Sequence, residues 1–253
     1  MRIDINSDLG ESFGAYKIGH DAGLMKSITS ANVAAGFHAG DPSVLRETIR
    51  SAREQGVAVG AHPGFPDLAG FGRRELHVTP REAEDFVLYQ IAAVAGVASA
   101  EGMKLQHVKP HGALFNMAVR DPELSAAIAR AVAAFDRSLI LFGLPGSEIL
   151  VAGRAAGLRV AAEVFADRAY ESDGSLASRR KPGAVIHDPA AVVARAVQMI
   201  EKHTVTAIDG KAVNLEADTI CVHGDTQGSD TLAAQIRAGL ERAGITVKAI
   251  GVA

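Results

Sequence analysis

The chain begins with Met1-Arg2-Ile3-Asp4-Ile5-Asn6-Ser7-Asp8, a stretch in which apolar and polar side chains alternate. Residues two apart on a strand share a face, so Ile3 and Ile5 lie on one face, and Asp4, Asn6 and Asp8 on the other. The apolar face can pack against helices. The polar face needs partners or a ligand, because an unpaired buried charge costs several kcal/mol. The stretch therefore predicts a strand whose second face borders a polar interior.

Short apolar runs of this kind recur along the chain, separated by longer amphipathic segments. Asp-Pro pairs and a Thr-x-x-Glu capping box, Thr79-Pro80-Arg81-Glu82, mark helix starts between them. Strands that alternate with helices predict a parallel sheet. The predicted strands are Arg2–Ser7, Ser30–Ala34, Val57–Ala61, Leu105–Lys109, Ser138–Leu141, Arg159–Val164 and Thr219–Val222.

The loops favour a closed barrel over a doubly wound sheet. No Gly-x-Gly-x-x-Gly follows the first strand, and the sequence has no phosphate-binding P-loop motif. The strand-to-helix loops Pro63–Val78 and Phe165–His187 are long, which is typical of the functional end of a barrel. We therefore expect an α/β fold, a seven-stranded (β/α) barrel in one domain, 1–253, with a β-hairpin insertion near 204–215.

Composition excludes several classes of function. Apolar residues make up 48% of the 253 residues and the net charge is −3, so there is no basic footprint for nucleic acid or an anionic membrane. Cys221 is the one cysteine, so no intramolecular disulfide can form, and we expect it to be a small buried apolar residue. The N-terminus resembles neither a signal peptide nor a membrane anchor, so we expect a cytoplasmic location.

The polar face of the predicted strands carries side chains that suit catalysis. It places His62, His107, Lys109, Glu163 and His223 on the same interior as Asp8. A lysine is a poor structural choice for a barrel interior, and a glutamate such as Glu163 is a similarly poor one. We interpret these groups as the site of a reaction rather than as core.

Four histidines lie at or just beyond strand ends. Any one of them alone is more simply a structural histidine, but four on one rim indicate a functional site. These are His38, His62, His111 and His223, whereas His20, His77, His187 and His203 are predicted surface residues.

The loop Pro63–Val78 combines glycines and phenylalanines with Arg73 and Arg74, which predicts either an anion-binding lid or a packed loop with solvated arginines. Asp8 and Asp225 can also be read as loop caps, and Asp41 as a helix cap. We expect the basic run Arg179-Arg180-Lys181 to be solvated.

Motifs spread over nearly the whole chain, in the right order, resemble the LamB/YcsF family. They are Asp4–Glu11, Asn32–Asp41, Gly60–Pro63 with Gly70–Arg74, His107–Asn116, Glu163–Tyr170 and Cys221–Asp225. The resemblance implies an irregular barrel of the glycoside hydrolase and polysaccharide deacetylase type. It also implies ATP-dependent opening of 5-oxo-L-proline to L-glutamate with two partner subunits. Family members often have cysteines where this chain has Ser7 and Ala35, so neither thiol can be essential here.

This chemistry suggests roles for the rim residues. Asp8, His62 or Glu163 could be the general base, and Lys109 with His111 or His223 could stabilise negative charge. Without a nucleotide-binding motif in this chain, partner subunits are expected to supply part of the ATP site. The catalytic candidates are Asp8, His62, Lys109, Glu163 and His223. The substrate-binding candidates are Asn6, Asn32, His38, Arg73, Arg74, His107, His111, Asp167 and Asp225.

Two alternatives remain open from the sequence. The first is a metal-dependent, deacetylase-like hydrolase that holds Zn²⁺ with Asp8, His38 and His62. The second is a lactam-binding scaffold whose partners perform all the chemistry.

Overall fold

The computed structural model describes residues 1–178, 181–225 and 228–251. The strands are Arg2–Leu9 (β1), Ser30–Ala34 (β2), Ala58–His62 (β3), Leu105–Val108 (β4), Ile140–Gly143 (β5), Arg159–Val164 (β6), Thr204–Thr206 (β7), Ala212–Asn214 (β8), Thr219–Val222 (β9) and Thr246–Val247 (β10). The α-helices are Asp21–Leu24 (α1), Pro42–Gln55 (α2), Pro80–Ala100 (α3), Gly112–Ala118 (α4), Pro122–Phe135 (α5), Glu148–Ala155 (α6), Pro189–Glu201 (α7) and Ser229–Arg242 (α8). A short 3₁₀ turn covers Leu68–Gly70.

Seven parallel strands close into a barrel in the order β1-β2-β3-β4-β5-β6-β9. Closure is achieved by β9, which pairs with β6 on one side and with β1 on the other. The ladder is irregular between β3 and β4, where the register shifts between Val59 and Gly60. The seven strands predicted from the sequence are the seven strands of this barrel, so the predicted fold class is confirmed.

The strand bounds differ from the predicted ones in four places. β1 extends two residues further, to Leu9, β3 is shifted by one residue, and β4 ends one residue earlier. β5 is shifted by two residues, to Ile140–Gly143, and the Asp136 side chain accepts a hydrogen bond from Ser138 N (2.8 Å) in the turn before it. β10, a two-residue strand that pairs with Arg2 and Ile3, was not among the predicted strands.

The helix caps form as the sequence predicts. The Asp41 carboxylate accepts from the backbone N–H groups of Ser43 and Val44, and Thr79 and Glu82 form the complete capping box. Gly56 ends α2 in the left-handed conformation, with φ of 68°. The N-terminal caps fix where α2 and α3 start, and with it the length of the strand-to-helix loops that precede them at the barrel mouth.

The hairpin predicted near 204–215 is present outside the barrel. β7 and β8 pair antiparallel, with Thr204 opposite Asn214, and Gly210 takes a positive φ in the turn. Over the described ranges 1–178, 181–225 and 228–251, no helix is long and apolar enough to cross a membrane.

The barrel strands lie between an apolar core on the helix side and a polar lumen on the inside. Ile3 and Ile5 of β1 belong to the apolar core that packs the strands against the helices. The other parity of the strands faces the lumen, where Asp4, Asn6 and Glu163 are buried. The predicted division into an apolar and a polar face therefore holds in three dimensions.

Candidate active site

A cavity of about 710 Å³ opens at the carboxyl ends of the strands, within the usual range for small-molecule sites. It is bordered by strand ends and by the loops that follow them, as expected for a barrel of this type. Its lining includes seven of the residues predicted from the sequence: Asp8, His62, Arg73, Lys109, His111, His223 and Asp225.

Lys109 lies at the floor of this cavity with its ammonium group between two carboxylates. Its Nζ is 2.8 Å from Asp8 Oδ1, 2.9 Å from Glu163 Oε1 and 3.0 Å from Cys221 Sγ. Burial alone would lower the pKa of Lys109, but the negative groups around it, Asp8 first, raise that pKa well above the ordinary value. Lys109 is therefore a fixed positive charge.

Cys221 is buried, as predicted, but it does not pack only against apolar atoms. Its Sγ contacts the ammonium group of Lys109, while burial raises the pKa of the thiol well above its usual value. The thiol therefore stays protonated and takes part in the polar lumen.

Of the two carboxylates beside Lys109, Asp8 is the one that lines the cavity. Its Oδ1 accepts from Lys109 and from Asn32 Nδ2 (2.8 Å), and its Oδ2 lies 3.4 Å from His62 Nε2. Burial favours the neutral acid, but the charges of His62 and Lys109 more than offset it and hold the pKa of Asp8 well below its usual value. Asp8 is therefore an ionised carboxylate whose Oδ2 does not accept from Lys109 or Asn32.

Three predicted substrate-binding residues, Asn6, Asn32 and His107, lie beneath the cavity instead of lining it. Asn32 Nδ2 donates to Asn6 Oδ1 (2.7 Å), and His107 Nε2 donates to Asn32 Oδ1 (2.7 Å). Burial and the nearby Lys109 charge lower the pKa of His107 to about 3, so this imidazole is neutral. The three side chains orient Asp8 from below.

A second cluster, which we call the histidine cluster, contains Glu11, His38, His62 and His111. One ligand-type atom from each residue lies within 4.8 Å of all the others, and all four residues are buried. His38 and His111 stack with ring centroids 3.7 Å apart, and His62 Nε2 is 3.0 Å from His111 Nδ1. The structure thus keeps His38 and His62 of the predicted zinc set, but places Glu11 and His111 with them and Asp8 beside them.

The electrostatics of the histidine cluster favour neutral groups. Burial, followed by the neighbouring imidazoles, lowers the pKa of His38 well below its usual value, and burial and His62 lower that of His111 to about 3. Burial, followed by the charge of Asp8, raises the pKa of Glu11 well above its usual value. Glu11, His38 and His111 are therefore neutral.

Glu11 was absent from the predicted site residues. It lies beyond the end of β1, after Gly10 has turned the backbone with φ of 70°, so strand parity could not place it. Its position in the motif Asp4–Glu11 was the available signal.

The loop Pro63–Val78 covers one side of the cavity, and its two arginines point different ways. Arg73 Nη2 lies 2.5 Å from Asp225 Oδ2 across the mouth, with its guanidinium 4.9 Å from the centre of the Phe71 ring. Arg74 pairs with Asp67 within the loop and does not line the cavity. The loop is attached to the barrel through the hydrogen bond from Ala113 N to Gly72 O (2.9 Å).

His223 lies on the opposite side of the mouth. Its ring stacks on Phe165 with centroids 5.4 Å apart, and its Nδ1 is 3.4 Å from Asp167 Oδ2. Asp167 therefore contacts the site through His223. Arg168, which was not among the predicted site residues, is buried and also lines the cavity.

Further residues were predicted to be solvated, and those that the structure describes do not line the cavity themselves. The four histidines predicted to be on the surface, His20, His77, His187 and His203, are exposed. Lys181 pairs with Glu171, whereas Arg179 and Arg180 lie outside the described residues.

The chain is similar to known proteins over almost its whole length and theirs. A protein of Thermococcus onnurineus, named as the A subunit of 5-oxoprolinase, is 56% identical over 251 residues, covering 99% of this chain and 98% of that one. The crystal structure of the lactam utilization protein from Thermus thermophilus superposes with a TM-score of 0.95 at 48% identity, covering 99% and 100% of the two chains.

A polysaccharide deacetylase from Bacillus cereus shares the barrel fold, with a TM-score of 0.51 at 11% identity over 97% of this chain and 91% of that one. The LamB/YcsF family model matches residues 3–253. The chain therefore belongs to the LamB/YcsF family.

Proposed function

We propose that this chain is one component, the A subunit, of an ATP-dependent 5-oxoprolinase, a hydrolase that opens 5-oxo-L-proline to L-glutamate. The observation that carries the proposal is the 56% identity, over essentially the whole length of both chains, to a protein that bears this name. The cavity supports it, because it combines a buried ammonium group and an ionised carboxylate with cationic groups at the mouth.

The reaction needs ATP because the lactam is an unstrained amide and closing glutamate to the ring is easy. Transfer of the γ-phosphoryl group of ATP to the lactam oxygen leaves ADP and an electrophilic ring carbon. Attack by water and cleavage of the ring carbon–nitrogen bond then give an acyl phosphate. A second water releases phosphate and L-glutamate.

We assign the general base to Asp8. It is ionised, it lines the cavity, and its Oδ2 does not hold the Lys109 ammonium group. Glu163 is a positioning residue, because it touches Lys109 but does not line the cavity. His62 lies beside the base, with its Nε2 3.4 Å from Asp8 Oδ2.

Lys109 stabilises the negative charge that develops on the lactam oxygen and on the tetrahedral intermediate. Arg73, Arg168 and His223 surround the mouth and are suited to hold the substrate carboxylate and the phosphoryl group. The pair Arg73–Asp225 would open to admit an anion, since a guanidinium can exchange one carboxylate for another.

ATP and the partner subunits belong to this proposal. The sequence has no phosphate-binding loop, so we expect two partner subunits to complete the ATP site and the complex to work in the cytoplasm, where ATP is available. The isolated chain is then expected to release no glutamate from 5-oxo-L-proline and ATP.

The test is reconstitution of the chain with its two partner subunits, followed by measurement of ATP-dependent glutamate release. We expect turnover only in the full mixture, and its loss with Asp8→Asn while the complex still assembles on size-exclusion chromatography. Robust glutamate release by this chain alone, or by the partners without it, would overturn the proposal.

The histidine cluster favours a second candidate, a metal-dependent hydrolase of the deacetylase type. This candidate predicts ATP-independent release of acetate from N-acetylated sugars by the isolated chain. It is rejected if turnover requires ATP and the partner subunits.

A further inference from the structure

We infer that Glu11, His38, His62 and His111 form a binding site for one divalent transition-metal ion of the Zn²⁺ class. The proposed ring opening uses no metal, so this inference goes beyond that function and does not depend on it. It is carried by the hydrogen-bond roles of the ring nitrogens, by buried polar atoms without partners and by the spacing of the four ligand atoms.

The tautomers of two imidazoles are fixed by backbone carbonyl groups. His62 Nδ1 lies 2.7 Å from Lys109 O, and His111 Nε2 lies 2.8 Å from Phe71 O. A carbonyl oxygen only accepts, so each of these nitrogens carries the hydrogen. The other nitrogens, His62 Nε2 and His111 Nδ1, are left with lone pairs that face each other at 3.0 Å.

Two facing lone pairs require a positive species between them, either a proton or a metal ion. Metal-binding histidines commonly donate their second N–H to a backbone carbonyl, which is the arrangement of both His62 and His111. A proton would satisfy these two nitrogens but nothing else in the cluster.

The remaining members of the cluster favour the metal. Within the described ranges, both ring nitrogens of His38 and Oε1 of Glu11 are buried and have no hydrogen-bond partner. His38 Nε2 and Glu11 Oε1 lie 3.5 Å apart, and Glu11 Oε1 lies 3.7 Å from His111 Nδ1. A buried polar atom without a partner is costly, and one ion could satisfy all four residues together.

The spacing fits a first-row transition metal. Metal–ligand bonds of about 2.0–2.2 Å in a tetrahedral site place the ligand atoms about 3.3–3.6 Å apart. Three of the six pairwise separations are 3.0, 3.5 and 3.7 Å, which bracket that value. Three imidazoles and one carboxylate suit Zn²⁺ and its neighbours, whereas Ca²⁺ and Mg²⁺ prefer oxygen ligands.

Two glycines leave the space that the His38 side chain occupies in the cluster. A Cβ on Gly64 would lie 2.6 Å from His38 Nδ1, and one on Gly72 would lie 2.7 Å from His38 Cβ. Glu11, His62 and His111 also line the cavity, so a bound ion would be accessible to a carbonyl oxygen or a water molecule there.

The test is metal binding by the purified full-length chain, measured without partners or ATP. After chelator treatment and removal of the chelator, the chain is titrated with Zn²⁺ by calorimetry and with Co²⁺ by visible absorption. We expect one ion per chain and the intense visible bands of four-coordinate Co²⁺. His38→Ala and Glu11→Gln should each weaken Zn²⁺ binding by about 100-fold or more.

His187→Ala, which removes an exposed histidine outside the cluster, is the matched control and should bind Zn²⁺ like the parent. Circular dichroism of each variant separates loss of a ligand from loss of the fold. Two results would overturn the inference. One is absence of stoichiometric binding by the folded parent, which would mean that a proton alone joins His62 and His111. The other is equal binding by the parent and both cluster variants.

Discussion

Lys109 and Glu163 form an ion pair across the barrel lumen, with Nζ 2.9 Å from Oε1 and neither side chain more than 4% exposed. Glu163 belongs to β6, whereas Lys109 follows β4, so the pair joins strands that are not neighbours in the sheet. Asp8 of β1 completes the arrangement, which places one cation between two carboxylates.

Removing the cation should be costly. Lys109→Met leaves Asp8 and Glu163 buried without their counter-charge, and we expect a loss of about 3–5 kcal/mol in the free energy of unfolding. The double variant Lys109→Met/Glu163→Gln should recover part of that loss, because one of the two carboxylates is then neutral. Urea denaturation of the two single variants and the double variant measures the coupling, and additive losses would contradict it.

Variants of Lys109 and Glu163 distinguish a catalytic chain from a scaffold whose partners perform the chemistry. In the reconstituted complex, Lys109→Ala and Glu163→Gln should each abolish ATP-dependent glutamate release while assembly is retained. Lys109 stabilises the developing charge and Glu163 holds it in place, so both changes act on the chemical step. Near-normal turnover in both variants would instead support the scaffold alternative.

Arg73 gives a test of the loop Pro63–Val78 as a substrate-binding lid. Arg73→Ala removes the guanidinium that lies beside Asp225 at the mouth, and we expect kcat/KM for 5-oxo-L-proline to fall about ten- to a hundredfold. The melting temperature should change little, since the Arg73 side chain is 46% exposed. Arg130→Ala, which breaks an exposed pair with Glu84 on the helical surface, is the control. Unchanged kinetics in Arg73→Ala would make the loop a packing element.

Gly60 should tolerate no side chain. A Cβ at this position would overlap the His107 ring and break the hydrogen bond that holds Asn32 beneath Asp8. We expect Gly60→Ala to destabilise the protein by about 1–3 kcal/mol and to reduce turnover. Gly96→Ala is the matched control, because Gly96 lies in α3 with open space around it, and it should stabilise the helix by about 0.5–1 kcal/mol. Equal stabilities in thermal unfolding would contradict this packing argument.

Glu101 predicts a pH dependence of stability. Hydrogen bonds from Arg50 and Arg46 of α2 lower the pKa of this carboxyl from 4.5 to about 2. A carboxyl whose folded pKa is depressed stabilises the fold above its unfolded pKa, and this contribution is lost as the pH falls from about 4.5 to about 2. Glu101→Gln should therefore melt below the parent at pH 7, with the difference shrinking toward pH 2.

The control for this comparison is Glu241→Gln, which breaks a single exposed pair with Arg237. Its melting temperature should follow the parent across the same pH range. A difference between Glu101→Gln and the parent that persists at pH 2 would mean that the carboxylate charge is not the cause.

The sequence by itself determined the barrel strands and the division of their faces. The alternation Ile3, Asp4, Ile5, Asn6 is local, and a strand projects alternate residues to opposite sides regardless of what surrounds it. The caps at Asp41 and Thr79 are local as well, since each side chain reaches a backbone N–H within three residues. The lumen positions of Asp8, Lys109 and Glu163 follow from the same parity.

Only the tertiary structure decided which of these groups meet. The distance between residues on different strands depends on barrel closure and strand stagger, which no short-range pattern contains. For this reason the sequence could not show that Glu11 and His111 cluster with His38 and His62, or that Asp8 pairs with Lys109. Arg73 and Arg74 are neighbours in the chain, yet the first reaches Asp225 and the second Asp67, because consecutive side chains in a loop point to different surroundings.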